Sequence, residues 1–338
     1  MHGISVALAT YNGERFLKAQ LDSLADQAAP PDELVAIDDD SSDATVDMLT
    51  AFAQKAHFPV RVIRNRERLG YRANFMKAAA ACACELIAFC DQDDIWARDK
   101  LSSMRPIFDD RRAMLAFHNS TLIDEGGAAR GRLFGRRGKS YAPLTLPPWT
   151  IVPGHTQIVR RSLLRFTPLH ARCVDPYDPD RPMPHDQWFV FWASVLGGIV
   201  YRPQCFAQYR LHDSNASGWP HVNFRSYVGD HLANALAYVR GESLAAENRL
   251  QLLQDCRDLL APEETASVNA AIACYERLRR VSALRRDVYE GRTLAARAQA
   301  LLALLGRGGY IGAKSETLGL PALLLDAVAG IPGRRRRP

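Results

Sequence analysis

The first hundred residues alternate between two hydrophobic periods. "ISVALAT" at residues 4–10 puts Ile4, Val6 and Leu8 on one face, the two-residue repeat of a strand. "NGERFLKAQLDSLADQ" follows with Phe16, Leu17, Leu21 and Leu24 at helical spacing, and Pro30 and Pro31 stop it. "ELVAID" reads as a second strand, Val46, Leu49, Phe52 and Ala53 mark a second helix, and "VRVIR" is a third strand. "GYRANFMKAAAACA" is a third helix and "LIAFC" a fourth strand. Strand and helix alternating at this rhythm predict βαβ units and a mainly parallel sheet flanked by helices. Ligands of such sheets sit beyond the carboxyl ends of the strands.

Residues 111–220 are less regular. Two or three strands and helices are expected there, among them "AMLAFHNSTLID", "HDQWFVFWASVLGG" and "GIVYRPQCFAQYRL", with long loops able to shape a substrate site. From residue 221 the pattern turns helical. "FRSYVGDHLANALAYV", "LAAENRLQLLQDCRDLL" and "EETASVNAAIACYERLRRVSALRRDVY" predict amphipathic helices separated by turns at Gly241 and Pro262. The expected division is therefore 1–110, 111–220 and a helical region, 221–338.

Composition narrows this little: 47% hydrophobic and 24% charged residues are ordinary for a globular chain. The seven cysteines form no C-x-x-C pair, so reduced, mostly buried thiols are expected. No signal-peptide pattern opens the chain, and the longest apolar stretches fall short of the ~20 residues a spanning helix needs. A cytoplasmic protein is expected. The net charge of +6 and the closing "GRRRRP" allow peripheral contact with an anionic inner-membrane face. Without aromatic residues interleaved among the basic ones, nucleic-acid binding is not expected.

Two acidic clusters change the picture. Residues 38–40 follow the second strand, and "DQDD" at 91–94 follows the fourth, so both emerge on the ligand edge. Hard oxygen donors with no sulfur beside them suit Mg²⁺ or Mn²⁺, which take one or two carboxylates plus substrate phosphates. The competing reading has the aspartates cap a helix at "WARDKL", and Ser42 or Asp43 cap the helix after the second strand.

"VALATYNGERFLKAQLDSLADQ", "ELVAIDDDSSDAT", "LGYRANF", "FCDQDDIWARDKL", "HDQWF" and "YRLHDSNASG" follow one another in the order seen in family 2 glycosyltransferases. Over residues 4–218 the chain resembles that family, and most of all its rhamnosyltransferase-type members from bacterial polysaccharide assembly. The resemblance implies the Rossmann-like GT-A fold and inverting, metal-dependent transfer of a sugar. The donor would be a dTDP- or UDP-sugar, and the acceptor a saccharide or lipid-linked saccharide. Thr10, Tyr11, Asp39 and Asp91 would bind the nucleotide, with Asp39 accepting the pyrimidine N3–H. Asp93, Asp91 and His212 would hold Mn²⁺ or Mg²⁺, and Asp186 would be the catalytic base. Asp94, Trp96, His155 and Thr156 would face the donor or acceptor sugar. His155 stands where the family often has a small residue or cysteine.

Trp188, Phe189, Phe191 and Trp192, just after Asp186, read as core rather than as a sugar platform. Two rival readings are a D-x-D phosphohydrolase and a non-catalytic binding or scaffold protein of the same fold. The phosphohydrolase would carry its motif on the first core strand, whereas here three strands precede it. The scaffold reading has no dismantled site to recommend it, since Asp39, Asp91, Asp93 and Asp186 are all present.

Overall fold

The computed structural model describes residues 2–212, 224–312 and 317–330. They form two compact units, residues 1–142, 151–167 and 184–219 in the first, and 143–150, 168–183 and the chain from 220 onward in the second.

The first unit is built on the expected alternation: β1 (Ile4–Thr10), α1 (Glu14–Ala25), β2 (Glu33–Asp38), α2 (Thr45–Lys55), β3 (Val60–Arg64), α3 (Tyr71–Ala81) and β4 (Leu86–Cys90). Every residue of β1, β2 and β4 is buried, as parallel strands covered on both faces must be. Ile4, Val6 and Leu8 pack with Leu17, Leu21 and Leu24 of α1, while α3 packs on β1 and β2. The chain continues through β5 (Ile95–Trp96), α4 (Lys100–Met104), β6 (Ala113–Ile123), β7 (Ala129–Arg132), β8 (Lys139–Tyr141) and β9 (Gln157–Arg160).

The sheet runs in the order β3-β2-β1-β4-β9-β6, then β12 (Gly198–Arg210) and β5, with β7 paired to β6 and β8 to β12. β3, β2, β1 and β4 are mutually parallel, and β9 is antiparallel to both β4 and β6. Two reversals therefore return β6, and its parallel neighbour β12, to the direction of β4. The carboxyl ends of β1, β2, β4, β6 and β12 share one edge. The second unit includes a hairpin, β10 (Val174–Asp175) and β11 (Asp178–Pro182). α5 (His185–Leu196) returns the chain to the first unit, where Trp188, Phe189, Phe191 and Trp192 are buried as expected.

Two sequence expectations are corrected. "IWARDKL" does not start as a helix: Ile95 and Trp96 pair antiparallel with Gln208 and Ala207 of β12, and α4 begins only at Lys100. Asp94 therefore caps nothing there. Nor does Gly241 mark a turn, because α6 (Phe224–Asp255) runs through it. A Cβ at Gly241 would lie 1.8 Å from the Pro176 carbonyl oxygen, so the glycine is needed for close approach of two backbones. At Pro262 the turn is real, a single 3-10 turn ahead of α7 (Thr265–Glu290). α8 (Leu294–Gly306) and α9 (Leu320–Leu325) complete the helices, around a small core of Val281, Leu304 and Tyr310. Arg285 is buried here, its Nε 3.0 Å from both Asp326 carboxylate oxygens and its Nη1 2.7 Å from Glu242. All seven cysteines are free, five of them buried. No helix among the described residues is long and apolar enough to cross a membrane. The arginine tail lies outside the described residues, as does the "DSNASG" part of the last motif.

Candidate active site

Residues leaving β1, β2 and β4 meet at the shared edge, and side chains tie them together. Gln92 clasps Tyr11 from both sides, Oε1 accepting the Tyr11 N–H at 2.8 Å and Nε2 donating to its carbonyl at 3.0 Å. Thr10 Oγ1 donates to Asp38 at 2.9 Å, and Asp38 also accepts the Ser41 N–H at 2.8 Å. Asp43 accepts the N–H of Thr45, the first residue of α2, at 3.0 Å, as the capping reading expected. Asp39 is 2% exposed and accepts from Asn65 Nδ2, Leu69 N and Gly70 N, each at 2.8 Å. These bonds fold the 65–70 loop over the end of β2, and Arg68 stacks its guanidinium 3.9 Å from the Tyr11 ring centroid.

The "DQDD" aspartates have three different environments. Asp93 Oδ2 meets His212 Nε2 at 2.8 Å, and the Asp93 carbonyl accepts Arg210 Nε at 3.1 Å. Asp94 is fully buried because β5 pairs with β12: its Oδ1 accepts the Arg210 N–H at 3.2 Å, while Oδ2 has no hydrogen-bond partner among the described residues. Asp91 keeps 34% of its side chain exposed, and its Oδ2 lies 3.8 Å from His155 Nδ1. Asp94 Oδ2 is 3.9 Å from the same nitrogen. One donor atom each from Asp91, Asp94 and His155 fall within 4.8 Å of one another.

His155 comes from the turn before β9, buried and stacked on Tyr209 with ring centroids 4.7 Å apart. Its Nε2 lies 2.9 Å from Ser120 Oγ on β6. With Ser120 accepting from Nε2–H, the Nδ1 lone pair faces the carboxylates, the arrangement in which histidine binds metals. Burial, then the nearby Lys100 charge, hold this imidazole down to about 3, so it is neutral at physiological pH. The carboxyls shift the other way. Burial first, then the Asp93 and Asp186 charges, raise Asp91. Burial, then Asp93 and Asp91, raise Asp94 well above the usual range.

Lys100 lies beneath this cluster, fully buried, with its ammonium 3.4 Å from the Trp96 ring centroid and donating to the His155 carbonyl at 2.8 Å. Burial lowers it to about 7, against the upward pull of Cys90, Asp94 and Asp91. Asp186 opens the first turn of α5. Its Oδ1 accepts the Gln187 N–H at 2.8 Å, and its carbonyl accepts Gln157 Nε2 at 3.1 Å.

The structure thus gathers Asp91, Asp94 and His155 into one cluster, with the Asp93–His212 pair beside it and the Asp186 charge acting on Asp91. Trp96 is 3% exposed in the core, and Thr156 is buried with its hydroxyl donating to the Pro153 carbonyl at 2.7 Å. Sequence reasoning missed Lys100, Ser120, Gln92 and Arg210. Lys100 carried one signal: it shares the i, i+4 face of α4 with Met104, where an apolar residue belongs.

The glycosyl transferase family 2 model matches residues 5–166. The uncharacterized protein Rv1520 of Mycobacterium tuberculosis is 27% identical over 215 residues, which cover 62% of this chain and 59% of that protein. The chain therefore spans about 59% of that relative's length. WfgD of Escherichia coli, a UDP-Glc:alpha-D-GlcNAc-diphosphoundecaprenol beta-1,3-glucosyltransferase, is 23% identical over 248 residues, 70% of this chain and 89% of WfgD. Among solved structures, S. aureus TarS 1-349 superposes with a TM-score of 0.57 at 16% identity, over 98% of this chain and 88% of TarS 1-349. Its complex with UDP-GlcNAc gives a TM-score of 0.53 at 17% identity, over 91% of this chain and 93% of that one. At such identity the likeness is one of fold. Residues 5–166 thus match the glycosyl transferase family 2 model, and the chain has a GT-A fold.

Proposed function

We propose that the protein is an inverting glycosyltransferase that moves a sugar from a uridine or thymidine diphosphate donor to a hydroxyl of a saccharide or lipid-linked saccharide. The observation that carries this reading is the convergence of Asp91, Asp94 and His155 at the carboxyl edge of a parallel sheet, with Asp186 close enough to raise Asp91.

The cluster fits a hard divalent cation. Asp94 Oδ2 is a buried carboxylate oxygen with no hydrogen-bond partner, and the other donors are a second carboxylate and a neutral imidazole. Asp91, Asp94 and His155 would hold Mn²⁺ or Mg²⁺, with Asp93 and His212 adjoining. Such an ion, when bound, offsets negative charge on a diphosphate leaving group.

The chain's own residues supply the rest. Asp39 has about one of its four lone-pair directions left for a pyrimidine N3–H. Tyr11 and Thr10 line the same edge, fixed by Gln92 and Asp38. Asp186 takes the proton of the attacking acceptor hydroxyl from the sugar face opposite the leaving group, and a single displacement of that geometry inverts the anomeric centre. Residues 1–110 form the donor half on this reading, and 111–220 the acceptor half.

Rhamnose is the sugar that the sequence resemblance favours, whereas the names of WfgD and the TarS complex point to UDP-hexoses. A lipid-linked acceptor agrees with the surface of the helical region. Six of the eight exposed large apolar side chains among the described residues fall at 294–328, including Leu302, Ile311 and Leu324. The protein would meet its acceptor peripherally at the inner membrane face.

Calorimetric titration of UDP and dTDP, with Mn²⁺, Mg²⁺ or EDTA, tests this on the wild type, Asp93→Ala and Asp94→Ala. Metal-dependent binding that both variants lose is the expected result, and the preferred nucleotide narrows the donor. Absence of binding to either nucleotide under every condition would overturn the reading.

A further inference from the structure

The acidic cluster contains one nitrogen donor, and its support differs from that of an ordinary core histidine. His118, on β6, is of the ordinary kind. It is fully buried, its Nδ1 meets the Asn119 carbonyl at 2.8 Å, and its ring lies edge-on to Phe206 with centroids 5.7 Å apart. His155 is held from several sides instead. Ser120 Oγ meets its Nε2 at 2.9 Å, Tyr209 stacks within 7° of parallel, and Lys100 donates to its carbonyl at 2.8 Å. The turn that carries it is pinned as well. Thr156 N donates to the Pro153 carbonyl at 3.0 Å, and Gly154 lies so close to His185 Nε2 that a Cβ there would collide with it. Among the described residues, Nδ1 alone is left without a hydrogen bond, 3.8 Å from Asp91 and 3.9 Å from Asp94.

Ser120 is itself fixed. It is fully buried, its N–H donates to Asn119 Oδ1 at 2.9 Å, and its carbonyl accepts the Leu133 N–H at 3.0 Å. Its hydroxyl bonds, among the described residues, to His155 alone. A hydroxyl both donates and accepts. Without an ion it can donate to Nε2, and once a cation claims the Nδ1 lone pair it rotates and accepts the Nε2–H. The imidazole is therefore partnered in both states, and a methyl group in place of the hydroxyl serves neither.

A nitrogen in the cluster changes which ion fits. Mg²⁺ takes oxygen ligands and sheds its waters reluctantly. Asp94 and His155 are almost fully buried, so an ion that reaches them gives up water on that side. Imidazole suits first-row transition ions better than Mg²⁺. We propose that Ser120 is a positioning residue that presents His155 Nδ1 as a nitrogen ligand, and that the site thereby favours transition ions such as Mn²⁺ over Mg²⁺. This rests on the metal-binding part of the proposed function and names the residues that set its selectivity.

The test uses the full chain stripped of metal, with and without UDP, as wild type, Ser120→Ala, His155→Gln and His212→Gln. Electron paramagnetic resonance reads free Mn²⁺, displacement of Mn²⁺ reads Mg²⁺ affinity, and nitrogen modulation of the bound Mn²⁺ spin echo reads ligation by imidazole. The wild type should bind Mn²⁺ more tightly than Mg²⁺ and show the nitrogen modulation. Ser120→Ala should weaken Mn²⁺ binding roughly 10–100-fold and Mg²⁺ binding less, with the modulation reduced. His155→Gln, which leaves β6 untouched, should abolish the modulation. A Ser120→Ala protein with wild-type Mn²⁺ affinity and modulation would overturn the proposal. So would modulation that survives His155→Gln and vanishes in His212→Gln, which assigns the nitrogen to His212. Bound Mn²⁺ without any nitrogen modulation overturns the proposal and leaves a carboxylate metal site standing. Wild type that binds no Mn²⁺ in either condition overturns both.

Discussion

Gly13 tests whether the loops after β1 and β4 act as one piece. Its φ of −101° and ψ of 4° suit alanine, so on backbone grounds Gly13→Ala should stabilise by about 0.4–1 kcal/mol through the unfolded chain. The surroundings reverse that sign. A Cβ there would lie 2.3 Å from Gln92 Oε1 and 2.6 Å from Gln92 Cδ. Gln92 can swing aside, but it then surrenders both bonds to Tyr11, at 2.8 and 3.0 Å. At roughly 1 kcal/mol net per hydrogen bond, the loss of two outweighs the backbone gain and leaves about 1–2 kcal/mol of destabilisation. Thermal unfolding should read this as a fall of roughly 2–8 °C. If the clasp pre-shapes the nucleotide site, UDP affinity should fall by roughly 5–30-fold as well. The decisive assay is a four-protein cycle of wild type, Gly13→Ala, Gln92→Ala and the double variant. With Gln92 shortened the clash is gone, so Gly13→Ala should then cost nothing. A double variant that loses the full sum of the two single effects would refute the clasp.

Three other outcomes follow from the same geometry. Lys100→Met removes the donor to the His155 carbonyl and should cost about 1–3 kcal/mol in urea unfolding at pH 7.5. Asp91 and Asp94 have folded-state pKa values raised above their unfolded ones. The folded chain therefore holds extra protons above about pH 4, so these groups cost stability increasingly as pH rises. Asp94→Asn should accordingly raise the melting temperature at pH 8 more than at pH 5 in metal-free buffer, while wild-type Mn²⁺ affinity should rise from pH 6 to 8 with proton release seen in buffers of different ionisation enthalpy. Gly241→Ala gains about 1 kcal/mol of helix propensity, yet its Cβ would meet a backbone carbonyl at 1.8 Å, so a net fall in melting temperature is expected.

What could be read from the sequence follows a physical division. β1, β2 and β4 were legible because each is a short apolar run, buried throughout, between helical segments, and placement of both acidic clusters at the sheet edge follows from parallel topology alone. β7 and β8 were not, since "ARGR" is exposed throughout and pairs only because β6 is already in place. Gly241 was misread because the residue it must accommodate, Pro176, is distant in sequence. The same limit governs the site. "DQDD" reveals carboxylates but not their partners, which are set by β5 pairing with β12 and by His155 arriving on the β9 turn. Lys100, a charge on an apolar helical face, broke the local rule at the place where the site needs it.

The carboxylates crowd at the end of β4 in a pattern that distinguishes a binding site from a structural network. A network built for stability alone would satisfy every oxygen, since a partly satisfied buried polar cluster is worse than an apolar core. Here the compensation is selective. Asp93 has His212, Asp94 Oδ1 has the Arg210 N–H, and Lys100 donates to the His155 carbonyl from below. Asp94 Oδ2 is left without a hydrogen bond, Asp91 still faces solvent, and His155 Nδ1 is 3.8–3.9 Å from both, too far for a hydrogen bond. The unmet groups are the three that converge within 4.8 Å, and all are hard or borderline metal donors. Among the described residues, Asp93 and one oxygen of Asp94 are hydrogen-bonded, whereas Asp91 faces solvent and the other Asp94 oxygen has no partner. On the proposed metal-binding reading, a cation entering from the solvent side would complete the cluster.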